Sequence, residues 1–287
     1  MAVKKTQSIG GQTRLVGIFG WPLQYTLSPL FQNAAFRQAG RDAVYLALAS
    51  ETPAEFKALA RGLMASPHFV GANITNPYKV EALRLADTVS PAARAIGAAN
   101  TLVRQGSRWA AHNTDAPGFL AAAKSAGAKV KGAPVLILGA GGAARAIAWA
   151  CASAGAAEVV VLARRVSQAR SCAKVAKNKG FGALLNPRNL GLASQGATWV
   201  VNTLPGVVLG ATMADEIAPA LAGAWAMDIN YLPRPSTPYL QAARKKGYRT
   251  LDGLPMLLEQ GRLSQALWFG KAPSMSQLLK AVQKKLR

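Results

Sequence analysis

Three observations predict an α/β protein built on parallel sheets. Short apolar runs alternate with helical patterns along most of the chain, an order that puts helices on the faces of a parallel sheet. A glycine-rich turn joins one such run to an alanine-rich helical pattern between Gly139 and Ala144. The composition, 51% hydrophobic with 16% charged residues, is that of a packed chain. At 287 residues it can form one large or two ordinary domains, each with its own core.

Met1 to Arg14 carries several cations, no acid and no apolar core of a secretory signal, and reads as a loose tail. Leu15 to Gly20 reads as a strand, followed by a loop through Pro29 and a helix from about Leu30 to Ala39. Val44 to Ala49 is a second strand, Pro53 to Met64 a helix and Phe69 to Asn73 a third strand. Loops at the carboxyl ends of such strands present ligand groups in α/β sheets. Thr26, Ser28 and the stretch Asn73 to Lys79 are therefore candidates, although the hydroxyls also suit turn and cap chemistry before Pro29. Asn73, Thr75 and Asn100 equally suit loop anchoring.

Pro134 to Leu138 reads as a buried strand that runs into G-x-G-x-x-A. Gly139 allows the tight turn, Gly141 lets backbone approach a pyrophosphate, and Ala144 keeps the helix close to the strand. The backbone at Ala140, Gly142 and Ala143, with the helix start, then suits phosphate. Glycine there also satisfies a merely steric demand. Glu158 to Ala163 is the next strand, and Arg164 and Arg165 stand where an acid would hold an unmodified ribose. Two guanidinium forks suit a 2′-phosphate, so the cofactor reading is NADP; two solvated arginines are the alternative.

Ser167 to Lys179 reads as a helix whose Arg170, Lys174 and Lys177 form a solvated face. Thr198 to Asn202 is a core strand entering the turn Thr203 to Val207. Trp225 to Tyr231 is the final core strand with its loop, and Pro238 to Gly247 a helix ended by glycine.

Basic residues outnumber acidic ones 34 to 12, a net charge of +22. They are spread along the chain without a nucleic-acid-binding signature, and a field that attracts small anions explains them as well. No nucleic-acid partner is expected. No apolar run reaches membrane-spanning length. Cys151 and Cys172 read as reduced packing residues of a cytoplasmic protein. His68 and His112 lie outside any motif, and no Cys/His cluster suggests a metal site.

Four motifs occur in order: Thr-x-Ser at 26–28, N-x-T-x-P-x-K from Asn73 to Lys79, G-A-x-N-T from Gly97 to Thr101, and N-T-D-x-x-G-F from Asn113 to Phe119. With the dinucleotide turn after them, the chain resembles the shikimate dehydrogenase family, which includes shikimate and quinate dehydrogenases, over roughly residues 15 to 270. The resemblance implies a catalytic pair, Lys79 and Asp115, whose individual roles stay open. It implies substrate contacts from Thr26, Ser28, Asn73, Thr75, Asn100, Tyr231 and Gln260. It adds Asn202, Thr203, Ile229 and Gly253 to the cofactor contacts. Two departures stand out: Thr26 follows Tyr25 where the family usually has Ser, often after His, and Pro255 replaces the second glycine of D/N-G-L-G-M-L-x-x-Q. A threonine methyl narrows the pocket.

The implied architecture is two α/β domains with a cleft. Residues 1–115 with 253–287 would form the substrate-binding domain, and 116–252 the Rossmann domain that binds NADP. The implied activity is reversible, NADPH-dependent reduction of 3-dehydroshikimate to shikimate in chorismate biosynthesis, by a cytoplasmic monomer or homodimer without a membrane partner. A dehydrogenase of quinate or a related hydroxylated cyclohexane-carboxylate is the alternative. A non-catalytic NADPH-binding or nucleic-acid-binding protein is a third reading.

Overall fold

In the computed structural model, which describes residues 9–206, 215–233 and 235–286, the apolar runs form two six-stranded sheets. The chain divides into two compact units, Met1–Thr114 with Gln260–Arg287, and Asp115–Glu259. Residues 1–8 of the expected tail, and Val207 of the expected turn, lie outside the described residues.

The first unit holds β1 (Arg14–Gly20), β2 (Ala43–Ala49), β3 (Phe69–Ile74), β4 (Thr88–Val89), β5 (Thr101–Gln105) and β6 (Arg108–His112). They lie in the order β2-β1-β3-β5-β6-β4. β1 pairs parallel to β2 and β3, but β5 runs antiparallel to both β3 and β6, so the expected parallel sheet is a mixed one here. The cause is local. Gly106 and Ser107 alone join β5 to β6, with Gly106 at φ 63°, and a two-residue turn makes a hairpin whereas a parallel pair needs a long crossover. The tail reading also fails at its end. The Thr13 hydroxyl donates to Asp42 Oδ1 at 2.6 Å and Arg14 N–H to Asp42 O at 3.0 Å, which fixes the entry to β1.

Helices Ser28–Gln38 and Pro53–Ala65 follow β1 and β2. Thr52 and Glu55 cap the second reciprocally, through the motif Thr52-Pro-Ala-Glu55. Phe19, Phe56, Phe69, Tyr78 and Trp109 pack together, with Phe56 and Tyr78 stacked at 4.4 Å. Each such side chain contributes about 1.5–3 kcal/mol by leaving water. Val16, Phe36, Tyr45 and Trp268 form another cluster. Trp268 comes from the helix Leu254–Phe269 and reaches β3 because Gly71 has no Cβ, which would stand 2.2 Å from its Nε1.

The second unit holds β7 (Pro134–Leu138), β8 (Glu158–Ala163), β9 (Gly180–Leu184), β10 (Trp199–Asn202), β11 (Trp225–Asp228) and β12 (Arg249–Leu251). Every pair is parallel, in the order β12-β11-β10-β7-β8-β9. Read from β9, this is the doubly wound order of dinucleotide-binding domains, with the switch point between β7 and β10. The helix expected over Ser167 to Lys179 ends at Ala173 and continues as a 3-10 stretch, Lys174–Lys179, with Lys177 at φ 56°. β9 returns too close for more: a Cβ on Gly180 would lie 2.0 Å from Ala173 O, and one on Gly182 2.5 Å from Ala169 C.

Gly139 shows the tightest demand at the switch point. Its φ is +111°, and a Cβ would sit 2.4 Å from Thr203 Oγ1. Gly139→Ala is expected to destabilise the protein by about 1–3 kcal/mol, visible as a lower urea midpoint. An unchanged midpoint would contradict this account of the turn.

Candidate active site

In the first unit the loops after β1 and β3 are held against each other. Trp21 N–H donates to Asn76 O at 3.0 Å and Thr75 N–H to Phe19 O at 2.8 Å. Gly20 permits this approach, since a Cβ there would meet Thr75 Cγ2 at 2.3 Å. Thr26 is half-buried, and its Oγ1 accepts from Ser28 N–H at 3.3 Å. Ser28 is buried at the start of its helix.

Beneath these loops lies a buried polar network. The Tyr45 hydroxyl donates to Asn73 Oδ1 at 2.8 Å and is also bonded by the Ser28 hydroxyl. Burial pushes the Tyr45 phenol well above its ordinary pKa, against a smaller pull from Ser28, so it stays a donor. Asn73 Nδ2 donates to Ser264 Oγ at 2.9 Å, with Asn100 O and Thr101 Oγ1 both at 3.2 Å. Asn100 Nδ2 donates to Thr114 Oγ1 at 2.9 Å and Gln260 Oε1 at 3.2 Å, while its Oδ1 accepts from Thr114 N–H at 2.7 Å. The Ser264 hydroxyl, one helical turn beyond Gln260, donates to Gln260 O at 2.9 Å.

The expected substrate contacts therefore divide. Ser28, Asn73, Asn100 and Gln260 are brought together in this network, whereas Thr26 and Thr75, like the expected catalytic Lys79 of the same unit, are only half-buried. Lys79 O accepts from Ala99 N–H at 2.7 Å, which sets Lys79 beside the start of the Asn100 segment. Tyr78 is buried and donates to Ser50 O at 2.6 Å, which anchors the residue before Lys79. Tyr45, Thr101, Thr114 and Ser264 were not expected in the site. Thr101 and Thr114 were inside the quoted motifs, and the four-residue spacing from Gln260 would have exposed Ser264.

Asp115 and Tyr231 belong to the second unit. Asp115 is buried and opens the helix Asp115–Ser125; Tyr231 is half-buried, three residues after β11. The dinucleotide turn fits a pyrophosphate. Gly141 precedes the helix Gly142–Ser153, and a Cβ on it would meet no protein atom within 4 Å, so that side is open. The first helical N–H groups, at Gly142, Ala143 and Ala144, have no intrahelical acceptor. Ala144 is buried, and Ala140 and Ala143 are half-buried. Arg164 and Arg165 are exposed just beyond β8 and suit a 2′-phosphate.

Other expected cofactor contacts have partners within the unit. The Thr203 hydroxyl donates to Leu138 O at 2.7 Å, and the Asn202 side chain bonds Asp228 and Leu204 N–H. Ile229 N–H donates to Asn202 O at 3.0 Å. A Cβ on Gly253 would lie 1.8 Å from Ile229 O, so close backbone packing alone requires that glycine.

Both cysteines are free and buried, and burial pushes the Cys172 thiol up to about 12 and that of Cys151 higher still. His112 is half-buried with Nε2 unpartnered, and burial lowers its pKa. Among the described residues no group of three His, Cys, Asp or Glu is placed to hold a metal ion, and no helix is long and apolar enough to cross a membrane.

Two predictions follow from burial. Tyr45→Phe removes the donor to Asn73 Oδ1 and is expected to cost about 1–3 kcal/mol in urea unfolding; no loss would mean that the network contributes nothing net. A thiol reagent such as DTNB should label neither cysteine in the native protein and both in denaturant, and rapid native labelling would contradict the burial of Cys151 and Cys172.

The model of the shikimate dehydrogenase substrate binding domain matches residues 18–102. The shikimate dehydrogenase (NADP(+)) of Carboxydothermus hydrogenoformans is 38% identical over 96% of this chain and 98% of its own. The crystal structure of shikimate dehydrogenase from Aquifex aeolicus superposes with a TM-score of 0.82 at 35% identity, covering 96% of this chain and all of that one, 100%. That of shikimate 5-dehydrogenase from Thermus thermophilus, in complex with NADP(H) and shikimate, gives 0.78 at 32% identity over 95% of this chain and 99% of that one. The sheet order, the dinucleotide turn and identity across both units lead to one conclusion: the chain belongs to the shikimate dehydrogenase family.

Proposed function

We propose that the protein is an NADP-dependent shikimate dehydrogenase, which reversibly reduces 3-dehydroshikimate to shikimate in chorismate biosynthesis. The observation that carries this reading is the buried network joining Asn73, Asn100 and Gln260, three separate segments of one unit, beneath the loop of Lys79. The relative from Carboxydothermus hydrogenoformans carries that activity in its name, and the Thermus thermophilus enzyme was crystallised with NADP(H) and shikimate.

Bound NADPH supplies the hydride. The protein's part is to hold the ring and manage the proton. The Thr26 and Ser28 hydroxyls donate to the ring carboxylate, and Asn73, Thr75, Asn100, Tyr231 and Gln260 contribute hydrogen bonds that orient the ring hydroxyls. In the reductive direction Lys79 passes a proton to, or stabilises negative charge on, the carbonyl oxygen as it becomes a hydroxyl; oxidation reverses this. Asp115 orients the reacting group and accepts from a neighbouring hydroxyl. The turn from Gly139 to Ala144 takes the pyrophosphate, Arg164 and Arg165 the 2′-phosphate, and the segments of Asn202, Thr203, Ile229 and Gly253 frame the other half of the cofactor. A cytoplasmic monomer or homodimer fits this chemistry.

Lys79→Ala is expected to lower kcat by about 10²–10⁴-fold with the dissociation constant for NADPH little changed; near-normal turnover would refute the assignment. Replacing both Arg164 and Arg165 with Ala is expected to raise KM for NADPH far more than KM for shikimate. A parallel rise in both would remove the 2′-phosphate role.

A further inference from the structure

Asp228, the last residue of β11, is a buried carboxylate at the ligand-bearing edge of the second sheet. Four hydrogen bonds converge on it, all from uncharged donors. Oδ1 accepts from Asn202 Nδ2 at 3.1 Å, Asn230 N–H at 3.0 Å and Asn230 Nδ2 at 2.8 Å; Oδ2 accepts from the Thr237 hydroxyl at 2.7 Å. Burial raises its pKa, and the bonds from Thr237, Asn230 and Asn202 oppose that rise. None of the partners given by the described residues is a cation, and a buried carboxylate so placed is costly to keep, so what it holds in place matters.

What it holds is the turn after β11. Asn230 Nδ2 also donates to Leu204 O at 2.9 Å, Ile229 N–H to Asn202 O at 3.0 Å, and Gly253 N–H to Asn230 O at 3.2 Å. The segment Ile229-Asn230-Tyr231 is thus clamped between the end of β10 and the backbone at Gly253, and Asp228 bonds both the β10 end and the segment. In a doubly wound sheet the first β-α-β half takes one mononucleotide and the second half the other. Gly139 to Ala144, Arg164 and Arg165 belong to the first half; the Asp228 clamp belongs to the second.

We propose that Asp228 is a positioning residue, which through Asn202, Asn230 and Thr237 fixes the 229–231 segment for the nicotinamide half of NADP and leaves the adenosine half untouched. This rests on the proposed function in taking the second unit as the NADP-binding one.

The test uses the full chain and two variants, Asp228→Asn, which keeps the shape but aims an amide at donors, and Thr237→Val, which removes one donor and spares the carboxylate. Dissociation constants are measured for NADPH and for adenosine 2′,5′-bisphosphate, which carries only the adenosine half. The Kd for NADPH is expected to rise about tenfold, the worth of one hydrogen bond to a charged group, while that for the bisphosphate stays within about twofold, and kcat falls with the NADPH term. Parallel weakening of both ligands would reduce Asp228 to general stability of the unit, and unchanged NADPH binding in both variants would overturn the proposal. If Asp228→Asn does not fold, Thr237→Val decides alone. Shikimate oxidation by the unaltered protein is measured alongside: its absence counts against the proposed function, while the ratio of the two dissociation constants still decides the role of Asp228.

Discussion

The side-chain amide of Asn73 is the point on which the first unit depends. It is 4% exposed at the carboxyl end of β3, and its donors and acceptor reach Tyr45 of β2, the Asn100–Thr101 segment and Ser264 of a helix 191 residues away in sequence. A buried amide left without partners costs about 1–3 kcal/mol for each unmet group. Ordinary apolar packing tolerates small shifts, whereas these bonds depend on distance and direction, which makes the set a device for register as much as for stability. That arrangement brings Ser28, Asn100 and Gln260 into one buried network with Asn73.

Much of this was legible in the sequence, and what was missed has physical causes. β7 and β8 have the expected ends because a strand buried in a parallel sheet is a continuous apolar run; Gly139 follows the end of β7 and Arg164 the end of β8. The hairpin of β5 and β6 was not seen, since its signal is the two residues Gly106 and Ser107 between short runs. The break at Ala173 was not seen either: it arises from the return of Gly180 and Gly182 against the helix, a tertiary constraint that overrides helical propensity. In the buried network, Asn73, Asn100 and Gln260 were named from motifs; Thr101 and Thr114 were passed over although they lie inside those motifs, and Tyr45 and Ser264 are tied to them only through space.

The second unit solves a different problem. Its sheet is wholly parallel, so every strand ends on the same edge, and glycines decide what can come close there. Gly139 makes room for Thr203, Gly253 for the backbone of Ile229, and Gly141 faces open space. The first two are therefore required by the fold itself, and only Gly141 keeps its freedom for a ligand. Asp228 extends the same logic to charge: a carboxylate surrounded by neutral donors is kept because it braces two adjacent strand ends at once.

The central claim is the reaction and its cofactor. Steady-state oxidation rates of the purified protein with shikimate and with quinate, each against NADP⁺ and NAD⁺, test it most directly. The account predicts that kcat/KM is highest for shikimate with NADP⁺, well above both the quinate and the NAD⁺ combinations. Absence of oxidation of shikimate, or equal use of the two dinucleotides, would contradict it; preference for quinate would move the substrate assignment to the changes at Tyr25 and Thr26.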